Sequence, residues 1–150
     1  SRRRAGTENV IAIAGFGAAA AAALRDLEHV ARIRDLRDSL EAELLRTNSH
    51  SALVAVDAQR LPNTTLVAMP GKQSETLVIK LDLAGIAVSA GAACSSGKVG
   101  TSHVLEAMGV APEIARGAVR VSLGPSSTTE DVQRFVAAWN AATGRPAMAA

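Results

Sequence analysis

Tyrosine is absent from this chain of 150 residues, and aromatic residues make up only 2 % of it. That scarcity argues against single-strand nucleic-acid binders, which stack bases on aromatic side chains. The net charge of +2 supplies no strong field for DNA despite an isoelectric point near 9.2. Cysteine is almost missing as well: Cys94 stands alone. One thiol can form no internal disulfide and cannot by itself build a structural zinc site. His29, His50 and His103 have no partners at metal-ligand spacing, so no metal site is expected. No apolar run is read as approaching membrane-spanning length, and the cluster Arg2, Arg3 and Arg4 is not followed by the apolar region of a secretory signal. No membrane partner is therefore expected, and the lone cysteine favours a reducing cytoplasm. Ser1 is not a natural initiator, which suggests a piece of something longer.

Hydrophobic residues, by contrast, reach 48 %, enough for a single folded domain with a real core. The stretch from Val10 to Ala23 is rich in alanine, the best helix former, with six alanines in a row at 18–23. Leu27, Ile33, Leu36, Leu40 and Leu44 continue as an apolar stripe, giving a helical segment over about 9–46. The charges between them, including Glu28 with Arg32 and Arg37 with Glu41, read as a solvated face with helical pairs.

Short strands are predicted at Ala52–Val56, Thr64–Ala68 and Ile86–Val88. A helix is predicted over Ser74–Leu83 with Gly85 as its stop, and two short ones over Ser102–Met108 and from Pro112 to Ala115 or Arg116. Alternation over Ala118–Leu123 predicts a strand with Arg120 and Ser122 opposite Val119, Val121 and Leu123. A last helix starts near Ser127, spaced from Glu130 as in a capping box, and buries Val132, Phe135, Val136 and Trp139. Residues 144–150 read as a frayed tail.

The chemistry concentrates on Gly91-Ala92-Ala93-Cys94-Ser95-Ser96-Gly97. A structural cysteine usually sits in an apolar run as a small hydrophobe, whereas these flanks are small, polar and permissive of tight turns. A nucleophilic thiol has to be accessible. Arg120, on a strand, suits either a carboxylate ligand or a surface ion pair. Thr7, near a helix start, suits either a phosphate or a plain N-cap. His103, nine residues after Cys94, reads as capping or packing the helix after the cysteine loop.

Arg4-Ala5-Gly6-Thr7-Glu8-Asn9, Arg60-Leu61-Pro62-Asn63-Thr64, Ser74-Glu75-Thr76-Leu77, the run Ser89–Gly97 with Ser102-His103-Val104-Leu105, and Val119-Arg120-Val121-Ser122-Leu123-Gly124 occur in one order along the chain. Jointly they resemble the cysteine desulfurases of the class-V aminotransferase family, NifS/IscS-like, in the group with a long cysteine loop. The resemblance implies an α/β fold: the small C-terminal domain of a fold-type I pyridoxal-phosphate transferase, with a small, mainly antiparallel sheet and packed helices after a long helical segment. Residues 1–46 would close the large domain and connect to it, and residues 47–150 would form the small domain.

It further implies that Cys94 takes sulfur from L-cysteine as a persulfide and releases L-alanine, that Arg120 binds the substrate carboxylate, and that Thr7 binds the phosphate of pyridoxal 5'-phosphate across a homodimer. The sulfur would pass to an iron–sulfur scaffold or another acceptor protein. The family's cofactor lysine matches none of Lys72, Lys80 and Lys98, the only lysines present, so this chain resembles the C-terminal part alone and is expected to be inactive by itself. Two other readings stay open: a non-catalytic sulfur-carrier or interaction module, and a selenocysteine lyase-like enzyme.

Overall fold

The computed structural model describes residues 6–90 and 102–144. Helix α1 (Val10–Asp26) starts at Asn9, whose side chain accepts a hydrogen bond from the Ala12 N–H at 3.1 Å. None of its residues is buried, so alanine propensity rather than packing accounts for the helix. A single 3₁₀ turn (Leu27–His29) joins it to α2 (Val30–Thr47). The run Val10–Thr47 contains an 18-residue window of mean hydropathy 1.6 that meets the length and composition of a membrane span. The expectation that no apolar run approaches that length is thus corrected: alanine sustains the window where longer aliphatic side chains do not.

In α2 the apolar stripe is real, since Ile33, Leu36, Leu40 and Leu44 are buried. The charges are not all solvated. Arg37 and Glu41 are also buried, and Arg32 reaches not to Glu28 but to the carbonyls of Pro125 and Ser127, the latter at 2.8 Å.

Strands β1 (Ala52–Leu53), β2 (Thr64–Ala68), β3 (Ser89–Ala90) and β4 (Ala118–Ser122) form one antiparallel sheet in the order β1-β2-β4-β3. β1 is shorter than the predicted Ala52–Val56. Val54 still donates to the Leu66 carbonyl, but Ala55 turns left-handed at φ 59° and the chain leaves the ladder. The predicted strand at Ile86–Val88 is displaced to Ser89–Ala90. Helix α3 (Ser74–Leu83) ends with Gly85 at φ 76°, and its closing turn uses the Ile86 N–H on the Leu81 carbonyl, so pairing begins later.

Helices α4 (His103–Ala107) and α5 (Pro112–Arg116) follow the second described segment's start. His103 does not cap α4: Ser102 is the N-cap, and His103 is an exposed first residue. Helix α6 (Thr129–Thr143) carries its capping box one residue later than predicted, between Thr128 and Asp131, because the Ser127 hydroxyl instead accepts from the Gly124 N–H at 2.9 Å. Gly144 ends α6 in the left-handed region. Residues 145–150, most of the predicted tail, lie outside the described residues.

The alternation of β4 sorts the molecule into two sides. Val119 and Val121, with Val67 of β2, face α2, α3 and α6 and pack with Leu40, Leu77, Leu81, Phe135 and Trp139. Trp139 is fully buried and its indole N–H donates to the Ser51 hydroxyl at 2.9 Å. Ala68 and Ala118 begin the other side, where Leu105 of α4 and Ala115 of α5 cover them. Small residues are needed there: a Cβ at Gly117 would collide with the Met69 carbonyl.

Candidate active site

Covered by α4 and α5 at the Ala118 end, the second face of the sheet is open at the other. Arg120 and Ser122 project from that end and are exposed. The register sets Arg120 between Leu66 of β2 and Ser89 of β3, and sets Ser122 beside Thr64. Paired residues of an antiparallel sheet share a face, so the guanidinium stands among the hydroxyl-bearing positions 64, 89 and 122. Among the described residues the Arg120 guanidinium makes no ion pair or hydrogen bond, so the surface-pair reading finds no support there. A guanidinium fork has the geometry to receive a planar anion such as a carboxylate.

Thr7 lies in the exposed segment before α1, and Asn9 rather than Thr7 caps that helix. The plain N-cap reading of Thr7 therefore does not apply, and no hydrogen bond joins it to Arg120. Cys94, with the whole stretch 91–101, lies outside the described residues, as do Arg2, Arg3, Arg4 and Lys98. Of the other two lysines, Lys80 donates to the Ala142 carbonyl at 3.0 Å, and Lys72 sits in an exposed turn before α3 rather than at its start. Among the described residues, no group of three metal-ligating side chains is assembled.

The contacts of Glu41, Arg60 and Asn63 differ from what the sequence predicts or add to it. Glu41 receives Arg60 through both carboxylate oxygens, at 2.7 and 3.2 Å, while Arg37 bonds Asp38 at 2.7 Å and the Leu61 carbonyl at 3.3 Å. Burial pushes the Glu41 carboxyl up, but the Arg60 and Thr65 side chains and the charges of Arg60 and Arg37 outweigh it, leaving it below its ordinary value. The Thr65 hydroxyl contributes to that field without making a hydrogen bond of full geometry. Asn63 brackets the end of β4: its carbonyl accepts the Leu123 N–H at 2.8 Å, and its Nδ2 donates to the Leu123 carbonyl at 3.2 Å. The sequence signal for Arg60 and Asn63 was Arg60-Leu61-Pro62-Asn63-Thr64, a polar turn directly before a strand.

The aminotransferase class-V family model matches residues 1–135. The chain belongs to that family. The chain is 41 % identical over 135 residues to the cysteine desulfurase NifS of Azotobacter vinelandii, covering 89 % of this chain and 34 % of that protein. It is 44 % identical over 135 residues to a cysteine desulfurase of Gluconacetobacter diazotrophicus, again covering 89 % of this chain and 34 % of the relative. Among solved structures it superposes on a NifS-like protein from Rickettsia africae with a TM-score of 0.80 at 37 % identity, over 93 % of this chain and 36 % of that one. It thus spans about a third of the length of these relatives. The α/β fold with a small antiparallel sheet agrees with the expectation. The described residues of the class-V chain do not by themselves fit pyridoxal phosphate: neither Lys72 nor Lys80 stands at a cradle, and Arg120 is on an open face.

Proposed function

We propose that this chain is the substrate-recognising and sulfur-accepting part of a cysteine desulfurase, which converts L-cysteine to L-alanine and leaves the sulfur on Cys94. The observation that carries the reading is Arg120, whose guanidinium has no partner among the described residues and stands on an open sheet face, in register with Ser89 at the edge strand that leads toward Cys94. Cys94 is four residue steps from Ala90, a reach of at most about 14 Å. A thiol on that tether and a substrate held by Arg120 are within range of one another. The 41 % identity to a protein named cysteine desulfurase supports the same chemistry.

In this reading Arg120 fixes the amino acid by its carboxylate, so that the substrate sulfur is presented in one orientation. The Cys94 thiolate attacks that sulfur: an S–S bond forms, the Cβ–S bond of the substrate breaks, and the carbon fragment takes up a proton and leaves as alanine. Pyridoxal phosphate, when bound by the full-length protein, supplies the electron sink for that cleavage. Its lysine would lie outside this chain, and Thr7 would reach its phosphate across a homodimer. Residues 1–46 would then be the end of the large domain with its connecting helices, and 47–150 the small domain. The exposed apolar surface of α1, which includes Ile11 and Phe16, suits packing against the remaining two thirds of such a protein.

Cys94→Ser in the full-length protein is the test. A hydroxyl stays protonated near neutral pH and is a poor nucleophile toward sulfur. Alanine release from L-cysteine is expected to fall to background, with no persulfide on the peptide that contains residue 94 and cofactor absorbance retained. Parental alanine production without added reductant would remove Cys94 as the acceptor.

A further inference from the structure

Beyond Arg120, strand β4 is supported on one side only. On the β3 side the ladder stops at the Ser89–Arg120 pair. Past that point Ile86–Val88 and Val121–Leu123 line an open depression of about 190 Å³ instead of pairing. On the β2 side the register runs on to Thr64–Ser122 and is closed by Asn63. The closure is reciprocal, as the Asn63 carbonyl accepts from Leu123 at 2.8 Å and its side-chain amide returns a bond to the Leu123 carbonyl at 3.2 Å. The Thr64 hydroxyl donates to Asn63 Oδ1 at 3.3 Å, which fixes which end of the amide faces Leu123.

We infer that Asn63 is a positioning residue for Arg120: its amide clasp holds the half-supported end of β4 and thereby aims the guanidinium. The inference rests on the reading of Arg120 as the carboxylate ligand. The Arg120 side chain makes no hydrogen bond among the described residues, so the path of β4 is what sets its direction. Leu123 is only three residues further along that path. An amide is required at position 63 because the Leu123 carbonyl needs a donor, while Oδ1 takes the Thr64 hydroxyl. A guanidinium that meets a carboxylate through two parallel bonds tolerates little misplacement, since an error of about 1 Å can cost about a hundredfold.

The experiment measures KM for L-cysteine and kcat in the full-length protein for Asn63→Ala, Arg120→Ala and the double variant. Asn63→Ala is expected to raise KM about tenfold with little change in kcat, the pattern of weakened ground-state binding. In the Arg120→Ala background the same substitution should raise KM no further, which a general loss of stability would not produce. Asn63→Asp, which keeps the shape but replaces the donor by an acceptor, should raise KM as well, and it serves if the alanine variant does not fold. An unchanged KM in the position-63 variants, or an undiminished effect in the Arg120→Ala background, would overturn the inference while leaving Arg120 in place. If Arg120→Ala itself leaves KM unaltered, the carboxylate reading falls and the inference falls with it.

Discussion

The two faces of β4 make different use of adjacent residues. Val119 and Val121 are buried against three helices, whereas Arg120 and Ser122, one step out of phase, are exposed. Val119 and Val121 thus serve the core while Arg120 and Ser122 leave the far end of the other side open, and the boundary between buried and exposed runs along a single strand. Substitutions on the two faces should therefore separate cleanly.

The largest effect is expected on the core side. Trp139→Ala removes the largest fully buried side chain, together with its bond to Ser51, and should cost about 3–5 kcal/mol. Hydrogen exchange of the α6 amides would report it, and undiminished protection would break the comparison. On the opposite face, Arg120→Ala should cost about 2–4 kcal/mol in kcat/KM for L-cysteine and leave the thermal midpoint in place, because the side chain is exposed and has no partner among the described residues. A lowered midpoint with intact kinetics would assign Arg120 to the scaffold. The smallest effect belongs to the edge between core and surface. The Glu41 carboxyl lies below its ordinary value of 4.5, so the stability it contributes is full above that pH and is lost as pH falls through the lowered value. Glu41→Gln should flatten this acid limb in a series of melting curves between neutral pH and about pH 3, while an unaltered limb would show that the Arg60 pairing carries no such linkage.

The elements that the sequence predicted well are those whose signals are local. α3 begins and ends where its apolar spacing and Gly85 place it, and the alternation of β4 gives both the burial of Val119 and the exposure of Arg120. The errors occur where a partner decides. Ile86–Val88 has strand composition, yet the closing turn of α3 takes the Ile86 N–H first. Arg37 and Glu41 have the spacing of a surface pair, but the loop carrying Arg60 and Leu61 folds over them. No local pattern distinguishes a charge that will be covered from one that will not. In the candidate site Arg120 was legible as a strand arginine, while the contribution of Asn63 depended on knowing that residue 63 would meet residue 123, sixty positions away.

Arg32 ties the carbonyls of Pro125 and Ser127 to α2, and a single 3₁₀ turn links α2 to α1. The consequence is leverage. α1 is an arm of about 25 Å whose surface is unburied along its whole length. With α2 as its base and the Arg32 guanidinium as a tie, the arm stands on the same helix that holds the loop after β4. A force applied along that arm would be borne at Pro125 and Ser127, just past the strand that carries Arg120.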